Sequence, residues 1–359
     1  MTETGGADAD QTDALVAALH QARAAQEPLY IEGGGSKRDL LGRNCTAHTL
    51  DVSRHRGILD YQPGELVITA RAGTPVVELQ ATLAEQDQML PSEPPGFGGR
   101  ATLGGTLATN MSGPARPWRG ATRDSTLGVT LINGRGELLN FGGRVMKNVA
   151  GYDVSRLQAG ALGTLGILCE ITLRVVPVPE HSATLMYELP AAQAHARMLE
   201  VAAQAAPLSG ACWFDGRLYL RLSGAASAVR GTASRWGGEL QRDTAAPWAS
   251  LNEMSHPFFA GDAPLWRLSV NSAAPLDAAE SMLIDWGGAQ RWLRGDEDAD
   301  QPRARAGAAG GHACLFRGGD RSTEVRAPLG APQQHVQQAL KRAFDPHGLL
   351  NPGRLYSWL

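Results

Sequence analysis

Pro28-Leu29-Tyr30-Ile31-Glu32-Gly33-Gly34-Gly35-Ser36 runs a short apolar strand straight into three consecutive glycines. Residues without a Cβ allow positive φ and a close approach of backbone to a ligand, which turns several N–H groups toward one point. Such a nest favours a diphosphate. Two further segments repeat the device beside apolar runs. In Ala101-Thr102-Leu103-Gly104-Gly105-Thr106-Leu107-Ala108-Thr109-Asn110 a glycine pair sits among small hydroxyl residues, and Gly160-Ala161-Leu162-Gly163-Thr164-Leu165-Gly166-Ile167 carries a third set. One such loop also reads as an ordinary strand-ending turn. Three together are expected to line an extended dinucleotide from pyrophosphate to ring. The binding residues in this reading are Gly33, Gly34, Gly35, Ser36, Thr102, Gly104, Gly105, Thr109, Asn110, Gly163, Thr164, Gly166 and Ile167.

The rival nucleotide motifs fail on their spacing. A nicotinamide-type fingerprint needs glycine at the last position of G-x-G-x-x-G, where Gly33-Gly34-Gly35-Ser36-Lys37-Arg38 has Arg38, and no helix pattern follows. A Walker loop needs glycine before its lysine and Ser or Thr after it, whereas Lys37 stands between Ser36 and Arg38. The glycine segments read together are expected to describe a flavin site.

With 359 residues the chain is long enough for two or three domains and a sizeable core. Its 43 glycines are far above the usual ~7% and have no collagen period, which points to tight turns and close ligand approach. A net charge of −3 without basic runs excludes nucleic acid as a partner. Cys45, Cys169, Cys212 and Cys314 are far apart and form no C-x-x-C pair, so neither a zinc site nor an iron–sulfur site is expected. The leader Met1-Thr2-Glu3-Thr4-Gly5 lacks the features of a secretory signal, and no apolar run approaches ~18 residues. A cytoplasmic location is the expectation, with any membrane contact peripheral.

Strand and helix patterns alternate through the first half. A helix is expected over Thr12 to Gln26, strands at Asp51-Val52-Ser53 and Leu66 to Ala72, and a helix after Thr74-Pro75 with Val76, Leu79 and Leu83 on one face. Leu127 to Asn140 reads as a hairpin around Asn133-Gly134-Arg135-Gly136, and Ile167 to Val176 as another strand. Pro177, Pro179 and Pro190 then interrupt the pattern, which places a boundary near Pro179. Beyond it, helices are expected over Ala191 to Ala205 and Ser227 to Trp236, and strands over Leu218 to Leu222 and Leu265 to Val270. Asp296-Glu297-Asp298-Ala299-Asp300 resembles the start of a calcium loop, but Gln301 and Gly307 occupy the positions of its glycine and bidentate Glu, so it reads as a solvated loop. The last helix, Pro332 to Phe344, sets Val336, Leu340 and Phe344 in register before Asp345-Pro346 ends it.

The order of these features resembles the vanillyl-alcohol oxidase, or PCMH-type, superfamily of FAD-binding proteins. Its pyrophosphate loop corresponds to Gly33 to Ser36 and its second phosphate strand to Thr102 to Gly105. Gly113-Pro114-Ala115-Arg116-Pro117-Trp118, Arg123-Asp124, Leu127-Gly128-Val129, Lys147-Asn148-Val149-Ala150-Gly151-Tyr152-Asp153 and Gly163-Thr164-Leu165-Gly166 resemble, more narrowly, the FAD-binding E subunit family of bacterial glycolate oxidases. His347-Gly348-Leu349-Leu350-Asn351-Pro352-Gly353-Arg354 is similar to that family's ending. The resemblance implies an α+β fold in which residues 1–179 form two α+β subdomains around FAD. Residues 180–330 would form an α+β cap with an antiparallel sheet, and residues 331–359 would return to the FAD domain. No His, Cys or Tyr lies in the Gly33 to Lys37 loop, where some relatives attach the flavin, so the FAD is expected to be noncovalent.

Related subunits that oxidise 2-hydroxy acids carry a Gly-Glu-His-Gly segment and a second histidine segment that supply base or metal ligands. Here Gly310-Gly311-His312-Ala313 has no Glu before its His, and His256-Pro257-Phe258 has no acidic companions. Hydride removal needs a base for the hydroxyl proton and a cation for the carboxylate. The catalytic residues are therefore left unassigned and no metal is expected. His312 reads as structural, Arg317 and Arg326 as ion-pair formers or carboxylate ligands, and the six tryptophans of residues 180–330 as core or as a docking surface. The resemblance implies an FAD subunit of a glycolate oxidase, working with a second, glycolate-oxidising flavin subunit and an iron–sulfur subunit, its own flavin a relay or a structural group. The alternatives are an independent FAD oxidase of a small alcohol or 2-hydroxy acid, and a non-catalytic interaction subunit.

Overall fold

The computed structural model describes residues 9–143, 153–276, 282–296 and 298–359. Lys147 to Tyr152, quoted above for the resemblance, and Glu297 of the acidic run lie outside them.

The chain begins with the helix Thr12–Ala25, whose Leu15, Leu19 and Ala22 face inward and which Gln26 ends in the left-handed conformation. The strand Leu29–Glu32 follows and pairs in parallel with His48–Asp51, three residues earlier than the strand expected at Asp51 to Ser53. Val52 turns instead into the core under the first helix, beside Leu29, Ile132, Ile167 and Leu350.

A five-stranded antiparallel sheet comes next, in the order Ile58–Gln62, Val67–Arg71, Ile167–Arg174, Thr126–Ile132, Leu138–Gly142. The helix Val76–Ala84 packs Val76, Leu79 and Leu83 against it together with Ile68, Leu131 and Ile171, so this core follows the period expected from the sequence. The last two strands are the expected hairpin.

An eight-stranded antiparallel sheet spans the second half of the chain, with His181–Glu188 near one edge and His312–Arg317 at the other. The helices Ala191–Ala202 and Ala226–Trp236 cover one of its faces through Ala194, Met198, Val201, Val229 and Trp236. The other face, with Phe214, Tyr219, Leu265, Trp292 and Phe316, packs on Leu40, Leu41, Met111, Leu162 and Tyr356. The six tryptophans are spent inside this architecture. Trp236, Trp248, Trp266, Trp286 and Trp292 are buried, and Trp213 is half-buried with its indole N–H on the Leu189 carbonyl, so they form no exposed docking patch.

Two other expectations change. Asp300 opens a helix, Asp300–Ala308, rather than belonging to a loop, and Ala306 anchors it under the sheet. The closing helix Ala331–Phe344 leaves Val336 55% exposed, and its one buried side chain is Lys341. Hydrophobic register therefore misreads this helix, whose inner face is organised by a charge.

Candidate functional site

The strand Leu29–Glu32 is held from both sides. His48–Asp51 pairs along one edge, and on the other the chain's end adds a parallel bridge at Leu350, with Leu29 N–H donating to Leu349 O and Asn351 N–H to Leu29 O. The strand delivers Gly33 to Gly35 against the second glycine segment. A Cβ on Gly34 would stand 1.8 Å from the Arg100 carbonyl oxygen, and one on Gly33 2.5 Å from Thr102 Oγ1. Only Gly35 of the three has positive φ, +67°. The triplet is thus set mainly by close backbone contact, not by the left-handed conformations the sequence suggested. Its donors stay available: among the described residues none accepts the main-chain N–H of Gly33, Gly34, Gly35, Ser36 or Lys37. Five consecutive unsatisfied donors are what an anion-binding nest requires.

Gly104 and Gly105 lie in a short helix, Leu103–Thr109, where the resemblance implied a phosphate strand. Thr102 caps it, its hydroxyl accepting from Gly105 N–H at 3.3 Å, and Thr109 Oγ1 donates back to Gly105 O at 2.7 Å. Gly104 is wedged against Ala72, whose Cβ would be 2.8 Å from an added Cβ. Gly105 opens instead toward Lys37 Nζ. In the third segment Gly163 has φ +73°, and an added Cβ would meet Asn351 Nδ2 at 2.7 Å.

One cleft collects these pieces. Its walls include Gly33, Gly34, Gly35, Ser36, Thr102, Gly104, Gly105, Thr109, Gly163 and Gly166. Asn110, Thr164 and Ile167 are not part of it. Asn110 ends the short helix in the left-handed conformation and accepts from Arg123 N–H, Thr164 is buried with its hydroxyl on Ala161 O, and Ile167 belongs to the core under the first helix. These three therefore shape the segments behind the wall.

Twelve residues that were not singled out as ligands also line the cleft, among them Tyr30, Lys37, Asn351 and Arg354. Lys37 is 8% exposed, its ammonium bonded to Ser36 Oγ at 3.2 Å and set over the Phe97 ring at 5.2 Å. Burial pushes its pKa down to about 8, against the weaker pull of the Glu253 carboxylate. Arg354 donates to the carbonyls of Lys37, Arg38, Leu40 and Arg43, and so fixes the turn after the glycines. Asn351 donates to Leu162 O at 2.6 Å and accepts from Ile31 N–H at 2.7 Å, which ties the third glycine segment to the first strand. Lys341 supports the same junction from behind, donating to Thr164 O and Leu350 O while paired with Asp345 at 2.8 Å. The one sequence signal for these roles was the ending Asn351-Pro352-Gly353-Arg354, because lysine and arginine read from spacing alone look like surface charges.

The remaining candidates lie elsewhere. His256 accepts from Phe258 N–H and packs on Phe214, His312 is exposed at the start of the edge strand His312–Arg317, and Arg317 donates to Phe259 O. None of them lines the cleft.

The cleft suits FAD on its own chemistry: a row of free N–H groups and a buried ammonium for the diphosphate, and a floor kept flat by missing Cβ atoms. Residues 7–142 match the model of the FAD binding domain. The glycolate oxidase subunit GlcE of Escherichia coli (strain K12) is 46% identical over 354 residues, 98% of this chain and 99% of the relative. The glycolate oxidase subunit GlcD of Bacillus subtilis (strain 168) is 30% identical over 162 residues, which are 44% of this chain and 34% of that one. Among solved structures an alkyldihydroxyacetonephosphate synthase shares the fold with a TM-score of 0.64 at 16% identity, covering 95% of this chain and 74% of its own. The conserved extent of the first match, over nearly the full length of both chains, settles the assignment: this chain belongs to the family of the glycolate oxidase FAD-binding subunit GlcE.

Proposed function

We propose that this chain is the FAD-binding subunit of a heteromeric enzyme that oxidises glycolate to glyoxylate. Its FAD is held noncovalently in the cleft lined by the three glycine segments, and electrons leave the assembly through an iron–sulfur subunit toward an acceptor such as a quinone. Residues 1–179 form the FAD-binding part, 180–330 the cap and 331–359 the returning segment. The observation that carries the reading is the meeting of Gly33 to Lys37, with their free N–H groups, and Gly105 and Gly163 in one cleft under a buried ammonium.

When bound, FAD supplies a group that accepts and passes on a pair of electrons. The chain's own residues do the rest of what is assigned here. Gly33 to Lys37 bind the diphosphate, Lys37 adds charge to it, and Asn351 and Arg354 hold the loop in place. Substrate oxidation is assigned to a second flavin subunit, because neither His312, which has no Glu before it, nor His256, whose carboxylate neighbour is Asp215 at 3.9 Å, lines the glycine-walled cleft. No helix among the described residues is long and apolar enough to cross a membrane, in keeping with a cytoplasmic assembly whose membrane contact is peripheral.

Co-expression with the two partner subunits and affinity capture through this chain tests the proposal. Recovery of all three, with glycolate-dependent dye reduction that no chain shows alone, is the expected result. Capture of this chain without partners, under conditions where it retains FAD, contradicts it.

A further inference from the structure

Pro94-Pro95-Gly96-Phe97-Gly98-Gly99-Arg100 leads into the short helix Leu103–Thr109 that stands behind the glycine triplet. It is a tight turn. Gly99 and Ala101 N–H both donate to Gly96 O, at 3.1 and 3.0 Å, and Arg100 N–H donates to Phe97 O at 3.3 Å. Phe97, Gly98 and Gly99 are all left-handed, with φ of +48°, +63° and +83°. For a bulky side chain that conformation is disfavoured, and it persists only where the surroundings over-determine it. Phe97 is held from two sides. It packs on the core between the helix Val76–Ala84 and the five-stranded sheet, and on the core under the inner face of the eight-stranded sheet.

The turn in its turn shapes the glycine-lined cleft. The Phe97 ring lies 5.2 Å from the Lys37 ammonium, within the range of a cation–π contact. A Cβ on Gly34 would strike the Arg100 carbonyl, and one on Gly33 would strike Thr102. The same stretch of chain therefore sets the back of the N–H nest and the place of its cation.

One carboxylate ties this turn to the other half of the molecule. Gly96 is buried, and its N–H donates to Glu253 Oε1 at 2.7 Å. Glu253 follows the helix Ala246–Asn252, whose Trp248 and Leu251 are buried in the inner-face core, and its own N–H donates to Ala249 O at 2.9 Å. The carboxylate is thus fixed at its root, and without it a buried main-chain donor is left unsatisfied. Its charge also acts on Lys37, favouring the ammonium against the burial that disfavours it. The remaining neighbours of Lys37 are either neutral or engaged. Phe97 and Gly105 carry no charge, Arg38 is paired with Glu32 at 2.6 Å, and Arg354 donates to the Lys37 main-chain carbonyl.

We propose that Glu253 is a positioning residue for the FAD diphosphate, because by holding Gly96 N–H it fixes the Phe97 ring against the Lys37 ammonium and the turn against the glycine triplet. Glu253 does not line the cleft, so it acts on the cofactor through the turn. Its charge adds a second effect, since it favours the protonated form of Lys37. The inference rests on the placement of the diphosphate beside Lys37 proposed above.

The test is FAD binding to the deflavinated chain, by fluorescence titration from about pH 6 to about pH 10, for the parent, Glu253→Ala, Glu253→Gln and Lys37→Met. At neutral pH Glu253→Ala is expected to bind FAD at least about tenfold more weakly, the scale of one charge-assisted hydrogen bond. Glu253→Gln keeps an oxygen that accepts from Gly96 N–H, so it retains most of the affinity at the acid end. Without the carboxylate the Lys37 proton leaves earlier as pH rises, so affinity in Glu253→Gln begins to fall at a lower pH than in the parent. Parental affinity in Glu253→Ala, or a parental onset in Glu253→Gln, overturns the proposal. So does equal weakening of both variants at every pH, which makes the contact structural alone. Lys37→Met separates the premises. A flat profile there, with an unmoved onset in Glu253→Gln, sinks this inference and leaves the cofactor site standing, whereas a parental profile in Lys37→Met removes the diphosphate placement and the proposal with it. Should Glu253→Ala fail to fold, Glu253→Gln decides through its onset.

Discussion

The Asn351 side chain accepts the main-chain N–H of Ile31 at 2.7 Å, joining positions 320 apart, and with its other amide atom donates to Leu162 O at 2.6 Å. One buried amide thus holds the strand before the first glycine loop and the segment that carries Gly163. Asn351→Leu leaves a main-chain donor and an acceptor unsatisfied at about 1–3 kcal/mol each. The expected outcome is a lower Tm together with substoichiometric FAD, read by thermal denaturation and by the flavin-to-protein absorbance ratio. Full flavin occupancy in the variant would show that the two loops do not depend on each other.

Gly34 and Gly105 are predicted to fail in different ways. Because a Cβ at Gly34 meets the Arg100 carbonyl at 1.8 Å, Gly34→Val disrupts packing of the protein on itself and should give insoluble or unfolded chain. A side chain at Gly105 extends toward Lys37 Nζ, on the cleft side, so Gly105→Leu should fold and purify colourless. Circular dichroism and the visible spectrum separate the two cases. A folded, yellow Gly105→Leu protein would remove that segment from the cofactor site.

Lys37 makes FAD affinity depend on pH. Burial holds the free ammonium at about 8, and contact with an anionic diphosphate raises it, so binding takes up a proton above that pH. Affinity should therefore fall as pH rises through about 8 and beyond, measured by fluorescence titration of the deflavinated chain. Lys37→Met should bind more weakly at pH 7 and lose the dependence. An unchanged pH profile in that variant would mean the ammonium does not face the cofactor.

Much of this was legible in sequence, and the exceptions share a cause. The helix Val76–Ala84 and the hairpin around Asn133 follow local period and turn chemistry, and the glycine segments announce themselves by composition. Lys341, Asn351 and Arg354 were not legible as site residues, because each acts on backbone atoms far away in the chain, and no spacing rule encodes a contact at that range. The helix Ala331–Phe344 shows the same limit from the other side: Val336 fits the apolar register but faces solvent, since what this helix meets is the carbonyl oxygens of Thr164 and Leu350. Gly104 and Gly105 were expected in a phosphate strand and lie in a helix, which glycine's low helix propensity does not announce, yet only glycine fits against Ala72 at the first of them.

Asp285 sets a stability trend. Its carboxyl is raised from the usual range to about 7 by burial, so the folded state binds the proton more tightly than the unfolded chain. That contribution is complete below about pH 4, declines as pH rises toward 7, and is gone above it. Thermal denaturation between pH 4 and 8 should show the decline, with Asp285→Asn flatter and more stable than the parent at pH 8 by a margin on the order of a few kcal/mol. A variant that is less stable than the parent at pH 8 would show that the carboxylate is favourably held when ionised.

The central claim is that the three glycine segments hold an FAD which glycolate does not reduce in this chain alone. It is tested most directly by recording the visible spectrum of the purified chain under anaerobic conditions and then adding glycolate. The predicted result is a flavin spectrum of about one FAD per chain, released by acid and unchanged by glycolate. A colourless protein that cannot be reconstituted, or a flavin that bleaches at the rate of the complete assembly, would contradict the account.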